Sequence, residues 1–150
     1  MTTVKDLLLV FLGGGVGSVL RYLLACIVPW LIRGLGCGQP RAEAASPLFP
    51  WATFAANLLG CFLLGLFCAL LLRCHWPQSA RLFLVVGLCG GFTTFSTFSN
   101  ETLQLLLGGH TAVAVLYVVS SLLAGGVMVW AGLRLSSSHF FEPVHKSNKF

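Results

Sequence analysis

Gly87-Leu88-Cys89-Gly90-Gly91-Phe92-Thr93-Thr94-Phe95-Ser96-Thr97-Phe98 lies inside a long apolar segment, yet it carries three glycines, three threonines, a serine, three phenylalanines and no charge. Paired glycines weaken a helix by about 1 kcal/mol each relative to alanine. Four hydroxyls inside a bilayer need partners or water. A segment that only had to cross a membrane requires none of this. Gly90-Gly91 followed by Thr93-Thr94 predicts a helix broken near the bilayer middle. Freed carbonyls would make a site for a desolvated monovalent cation, and freed amides and hydroxyls would face an anion. The stretch reads as a pathway for something small and polar, held in place by the rest of the chain.

The composition agrees. Of 150 residues, 57% are hydrophobic and only 9% charged, with a mean hydropathy of +0.89. A soluble domain carries about 25% charged residues, so this is an all-α integral membrane protein. At about 20 residues per span the length allows four helices. They are expected near residues 6–32, 51–73, 80–107 and 111–134, in one transmembrane domain over 1–135, followed by a polar and poorly ordered tail at 136–150. The third of these spans contains the opening stretch. The net charge of +5 comes from basic residues that flank the apolar segments, a membrane-topology pattern that argues against nucleic-acid binding. The six cysteines show no C-x-x-C spacing and read as packing residues. The amino-terminal apolar pattern runs through Arg21-Tyr22 to Ile32 without a cleavage site, so it is a first membrane helix and not a removed signal.

Each span holds residues that a plain membrane anchor would lack. In the first, Gly13 and Gly17 form a G-x-x-x-G pair suited to close helix approach. Arg21 lies mid-span, where an unpaired arginine is costly. It reads as a structural residue bonding carbonyls in preference to a substrate contact, because a fixed charge deep in a pore would trap an anion. The glycines and prolines of the 33–50 loop break helices, leaving room for one short amphipathic turn at 41–45, with Trp30 and Trp51 marking the interface. In the second span Thr53 and Asn57 share a face, and Asn57 is either functional or helix–helix glue. His75 has no second ligand for a metal. In the third, Phe95 and Phe98 share a face and Thr94 neighbours Phe98. Their ring edges could attract a small anion without trapping it, or the rings could simply be core. In the fourth, Tyr117, Ser121 and Gly125 make one stripe, polar or merely close-packed.

Asp6, Glu43, Glu101 and Glu142 are the acidic residues, and none lies in the middle of a span. Proton-coupled carriers place a carboxylate there, so a passive channel is favoured. Glu101, three residues past Phe98 and nearer the water, would belong to a vestibule. Four spans put both termini on one side. Lys5, Arg73, Arg81, Arg134, Lys146 and Lys149 share that side against Arg33 and Arg41 on the other, a count that favours cytoplasmic termini.

Three motifs in order resemble the Fluc/CrcB fluoride ion channels, across nearly all of residues 5–134. They are Gly13-Gly14-x-x-Gly17-Ser18-x-x-Arg21-Tyr22, Thr53-x-x-x-Asn57-x-x-Gly60-x-Phe62-x-x-Gly65, and Gly87-x-Cys89-Gly90-Gly91-Phe92-Thr93-Thr94-Phe95-Ser96-Thr97-Phe98-Ser99-x-Glu101. The resemblance implies a dual-topology homodimer, two identical subunits inserted antiparallel in the cell inner (plasma) membrane with two fluoride pores. It implies that Phe95 and Phe98 line the pores with Asn57, and that Tyr117 and Ser121 belong to a polar track. It also implies a structural sodium ion on the backbone carbonyls of Gly90 and Thr93, and Arg21 supporting the dimer core. The role implied is passive export of fluoride that enters as neutral HF, with no enzymatic step. Serine stands at position 18 where the family has alanine, Ala52 where it often has glycine, and Gly125 where its track often carries a hydroxyl. The 33–50 loop and the tail are longer than the family's compact form. Dual topology needs nearly balanced flanks, and few charges separate the two orientations here. A proton-coupled small multidrug-type exporter would need a membrane carboxylate that is absent, and a non-transporting assembly factor would use the glycine faces only for packing.

Overall fold

The computed structural model describes residues 3–34, 48–74 and 76–136. The expected turn at 41–45, the rest of the loop between 35 and 47, His75 and the tail from 137 onward lie outside the described residues. The elements in chain order are α1 (Val4–Gly34), α2 (Trp51–Arg73), α3 (Gln78–Arg81), a π-helical segment (Leu82–Cys89), α4 (Gly90–Phe92), α5 (Phe95–Leu107) and α6 (Thr111–Ser136). Among the described residues, four stretches are long and apolar enough to cross a membrane: Val4–Ile32, Trp51–Arg73, Gln78–Leu107 and Thr111–Ser136. The protein is therefore an all-helical, multi-pass membrane protein.

Local chemistry sets the helix ends. Thr3 and Asp6 cap α1 reciprocally: the Thr3 amide donates to Asp6 Oδ2 at 2.9 Å and the Asp6 amide to Thr3 Oγ1 at 3.3 Å. At the far end of α5, Gly109 takes a φ of +78°. The His110 amide reaches back to the Leu105 carbonyl at 2.8 Å and the Gly109 amide to that of Leu106 at 3.1 Å. This is a Schellman turn, which needs a left-handed residue where glycine has no Cβ to clash. It turns the chain within three residues, so α5 and α6 pack as neighbours.

Packing is inverted relative to a soluble protein. Large apolar side chains such as Phe11, Leu122 and Leu123 face outward, while Ala56, Ala114 and glycines lie inside. Lipid tails are as apolar as leucine, so nothing drives leucine inward, and close backbone approach becomes the source of attraction. Two glycine seams provide it. Gly13 and Gly17 of α1 sit against the Phe83 and Leu88 carbonyls of the third span, with Gly87 and Gly91 opposite. Gly65 of α2 and Gly132 of α6 lie against the Val129 and Phe62 carbonyls. The seams join α1 to the third span and α2 to α6, and α2 crosses between the two pairs. That crossing places Asn57 beside the Thr93–Thr94 backbone.

Candidate functional site

The backbone leaves the helical path at Thr93 (φ −79°, ψ 155°) and Thr94 (φ −145°, ψ 115°), between α4 and α5. Several of the groups released there are met by side chains. The Thr94 amide donates to Asn57 Oδ1 at 2.8 Å, and Asn57 Nδ2 donates to the Thr94 carbonyl at 3.3 Å. Thr94 Oγ1 caps α5 by accepting the Thr97 amide at 3.3 Å, and donates to Thr97 Oγ1 at 2.9 Å. The Thr93 amide and hydroxyl both donate to the Cys89 carbonyl, each at 3.0 Å. Arg21 Nε donates to the Gly91 carbonyl at 3.3 Å, beside Ser18 Oγ at 3.5 Å. Arg21 thus meets backbone, as a structural arginine would.

The carbonyls of Gly90 and Thr93 are among those left without their helical donors. In a continued helix the Thr94 amide would close on Gly90 and the Thr97 amide on Thr93. Both amides are bonded elsewhere. Gly90 is also exposed, with open space where a Cβ would stand. The two carbonyls assigned to sodium are therefore free to accept, and neutral backbone oxygens suit a small hard cation at an unwound helix. Among the described residues no cluster of three histidine, cysteine or carboxylate side chains could hold a metal.

α5 carries the remaining candidates. Phe95, its first residue, is 80% exposed. Its ring centroid is 6.0 Å from that of Phe98, and Phe98 lies 5.0 Å from Tyr117. One turn further, Glu101 accepts two hydroxyls: Thr53 Oγ1 on Oε1 at 2.7 Å and the Tyr117 hydroxyl on Oε2 at 2.9 Å. Tyr117 is fully buried. Ser121, one turn along α6 from Tyr117, keeps a buried hydroxyl with no hydrogen-bond partner. Gly125 packs near Cys61, whose Sγ would lie 3.5 Å from an added Cβ.

The structure thus joins Asn57 to Thr94, Phe95 to Phe98 to Tyr117, and Tyr117 to Glu101. Ser121 has no bond to any of them. Two contributors had no assigned role in the sequence reading. Thr53 shares the Asn57 face, and its i, i+4 spacing is the available signal. Phe49, from the short segment before α2, sets its ring 5.3 Å from Tyr117, edge to face. No sequence pattern marked it.

The chain matches the family described as CrcB-like protein, Camphor Resistance (CrcB), over residues 8–133. A protein of Phocaeicola vulgatus named Fluoride-specific ion channel FluC is 47% identical, covering 88% of this chain and 98% of that protein. Proteins of the same name from Bacteroides fragilis and from Thermus thermophilus are 43% and 45% identical, covering 85% and 90% of this chain and 93% and 96% of those proteins. With its apolar spans, its polar central stretch and a match from residue 8 to residue 133, this chain belongs to the CrcB family.

Proposed function

We propose that the protein is a fluoride-selective channel for passive efflux across the cytoplasmic membrane, assembled from two identical chains inserted antiparallel. The observation that carries this reading is Phe95. It opens a helix in the interior of a span, stands 80% exposed and is paired with Phe98. A helix N-terminus carries partial positive charge, which favours an anion. Ring edges add a weaker attraction of the same sign. Neither holds an anion as a fixed cation would, which suits conduction. The name borne by the relatives supplies the anion.

In this reading the third span is a broken helix whose break serves two ions. Phe95, Phe98 and Thr94 line the anion path with Asn57, Tyr117 and Ser121, and Glu101 lies toward its vestibule. The Gly90 and Thr93 carbonyls hold a structural sodium. Two carbonyls are a partial shell for a cation, and a second copy would supply the matching pair. The exposed Gly90 and Phe95 suit such a partner. Nothing is covalently transformed, so the protein is no enzyme. The carboxylate nearest the path, Glu101, is engaged by two hydroxyls, which favours passive flow over proton coupling.

Purified protein in liposomes tests the reading. Fluoride should leave down its own gradient without a pH gradient, in preference to chloride. A requirement for a proton gradient would replace the channel with an exporter, and no flux from folded protein would favour an assembly factor.

A further inference from the structure

The geometry points to Asn57 as a positioning residue that holds the third span open at Thr94. Its amide takes both hydrogen-bonding groups of one backbone unit: Oδ1 accepts the Thr94 N–H at 2.8 Å and Nδ2 donates to the Thr94 C=O at 3.3 Å. A side-chain amide carries the same donor and acceptor as a peptide group, so Asn57 stands in for a neighbouring strand of backbone. Both of its polar atoms are engaged, which leaves one Nδ2 hydrogen and a spare lone pair for anything else.

The consequence lies four residues upstream. The Thr94 N–H is the group that would satisfy the Gly90 carbonyl if the helix continued. Asn57 diverts it, and the Gly90 oxygen is left without its helical donor. The same clamp fixes the extended Thr94 whose hydroxyl caps α5, and so fixes where Phe95 stands. Asn57 acts on the cation site through Gly90 and on the aromatic pair through Thr94. This assignment rests on the reading of Gly90 and Thr93 as sodium ligands for its ionic consequence, but not for the clamp itself.

The test separates the two. Protein labelled with carbonyl ¹³C and amide ¹⁵N threonine has adjacent labels only at Thr2–Thr3 and Thr93–Thr94, so the Thr94 amide can be followed by solid-state NMR. In the wild-type protein it should exchange slowly despite lying outside a helix. Asn57→Ala should shift that resonance and either raise its exchange or, if the turn recloses on Gly90, move it into the helical range. The sodium concentration that gives half of the sodium-dependent rise in melting temperature should increase about 10- to 100-fold in the variant, the usual cost of losing a group that orients a metal ligand. A fast-exchanging wild-type Thr94, or a Thr94 resonance unmoved in Asn57→Ala, would overturn the clamp, and the first needs no variant to fold. A variant with unaltered sodium dependence would sink the consequence drawn for Gly90, whatever its fluoride preference. Absence of any sodium effect on the wild type would remove the sodium reading, while the Thr94 resonance still decides the clamp.

Discussion

Tyr117→Phe deletes one oxygen and leaves the ring. The ring is 0% exposed and keeps its neighbours Phe98 at 5.0 Å and Phe49 at 5.3 Å, so the perturbation is confined to one hydrogen bond. That bond runs to Glu101 Oε2 at 2.9 Å, while Thr53 holds Oε1 at 2.7 Å. A hydrogen bond to an ionised partner contributes about 1.5–3 kcal/mol. Glu101 is only partly buried, so water can take over some of what Oε2 loses. The expected loss is therefore at the low end, about 1.5 kcal/mol, or roughly tenfold in the folding equilibrium. Thr53→Val should cost somewhat more, about 2 kcal/mol. Thr53 is 7% exposed, and the added methyl blocks the water that would replace its hydroxyl.

Unfolding in mixed micelles of increasing SDS fraction, followed by tryptophan fluorescence, measures these losses. The informative quantity is the coupling with Glu101→Gln. Neutralising the carboxylate reduces the Tyr117 bond to an ordinary neutral one, so Tyr117→Phe should cost at least about 0.5 kcal/mol less when combined with Glu101→Gln than when made alone. Strict additivity of the two substitutions, or a Tyr117→Phe loss below about 0.5 kcal/mol, would refute the account of a carboxylate held by two hydroxyls.

Phe95→Ile should leave the melting temperature nearly unchanged, because the ring is 80% exposed in the chain, while Phe98→Ile should lower it through the lost contact with Tyr117; both should cut fluoride efflux from liposomes sharply, and unchanged flux would make the rings packing residues. Arg21→Ala removes the charged donor from the Gly91 carbonyl and should cost about 1.5–3 kcal/mol, seen as loss of the proposed dimer on size-exclusion chromatography in detergent, with anion preference intact in what remains folded. Gly132→Ala should cost about 1–3 kcal/mol in the same unfolding assay, because its methyl meets the α2 backbone at Phe62 and Leu66. Gly126→Ala on the same helix has open space around it and should be neutral or stabilising by up to about 1 kcal/mol.

How far the sequence could carry this depends on how local each cause is. The spans were legible because hydropathy is additive along the chain: α2 was expected near 51–73 and runs Trp51–Arg73. α1 was legible as a span but not at its ends, and α6 not at its C-terminal end, since Val4 and Ser136 are as compatible with helix as the residues inside them. The pairing of Thr53 with Glu101 was not legible. It joins residues 48 apart in sequence, and spacing within α2 shows only which face Thr53 occupies. Phe49 was invisible for the same reason, its role depending on where a non-helical segment crosses α6. The π-helical turns at Leu82–Cys89 had no signal either. They precede Gly90, and apart from Gly87 the residues there are apolar side chains common in any membrane helix.

The central stretch is the instructive case, because its composition announces a departure from the helix without saying what makes it tolerable. Gly90-Gly91 lowers the cost of leaving the helix, yet glycines supply no partners for the groups they free. Those partners come from the other spans. Arg21 and Ser18 of α1 take the Gly91 carbonyl, and Asn57 of α2 takes both groups of Thr94. Within the stretch itself, Thr93 and Thr94 use their hydroxyls on Cys89 and Thr97. A backbone unit in lipid that lacks such partners costs several kcal/mol, so Arg21, Ser18 and Asn57 belong to the same device as the glycines, although each lies on a different span from them. The carbonyls at Gly90, Phe92 and Thr93 are left without their helical donors by this arrangement, while those of Cys89, Gly91 and Thr94 are taken.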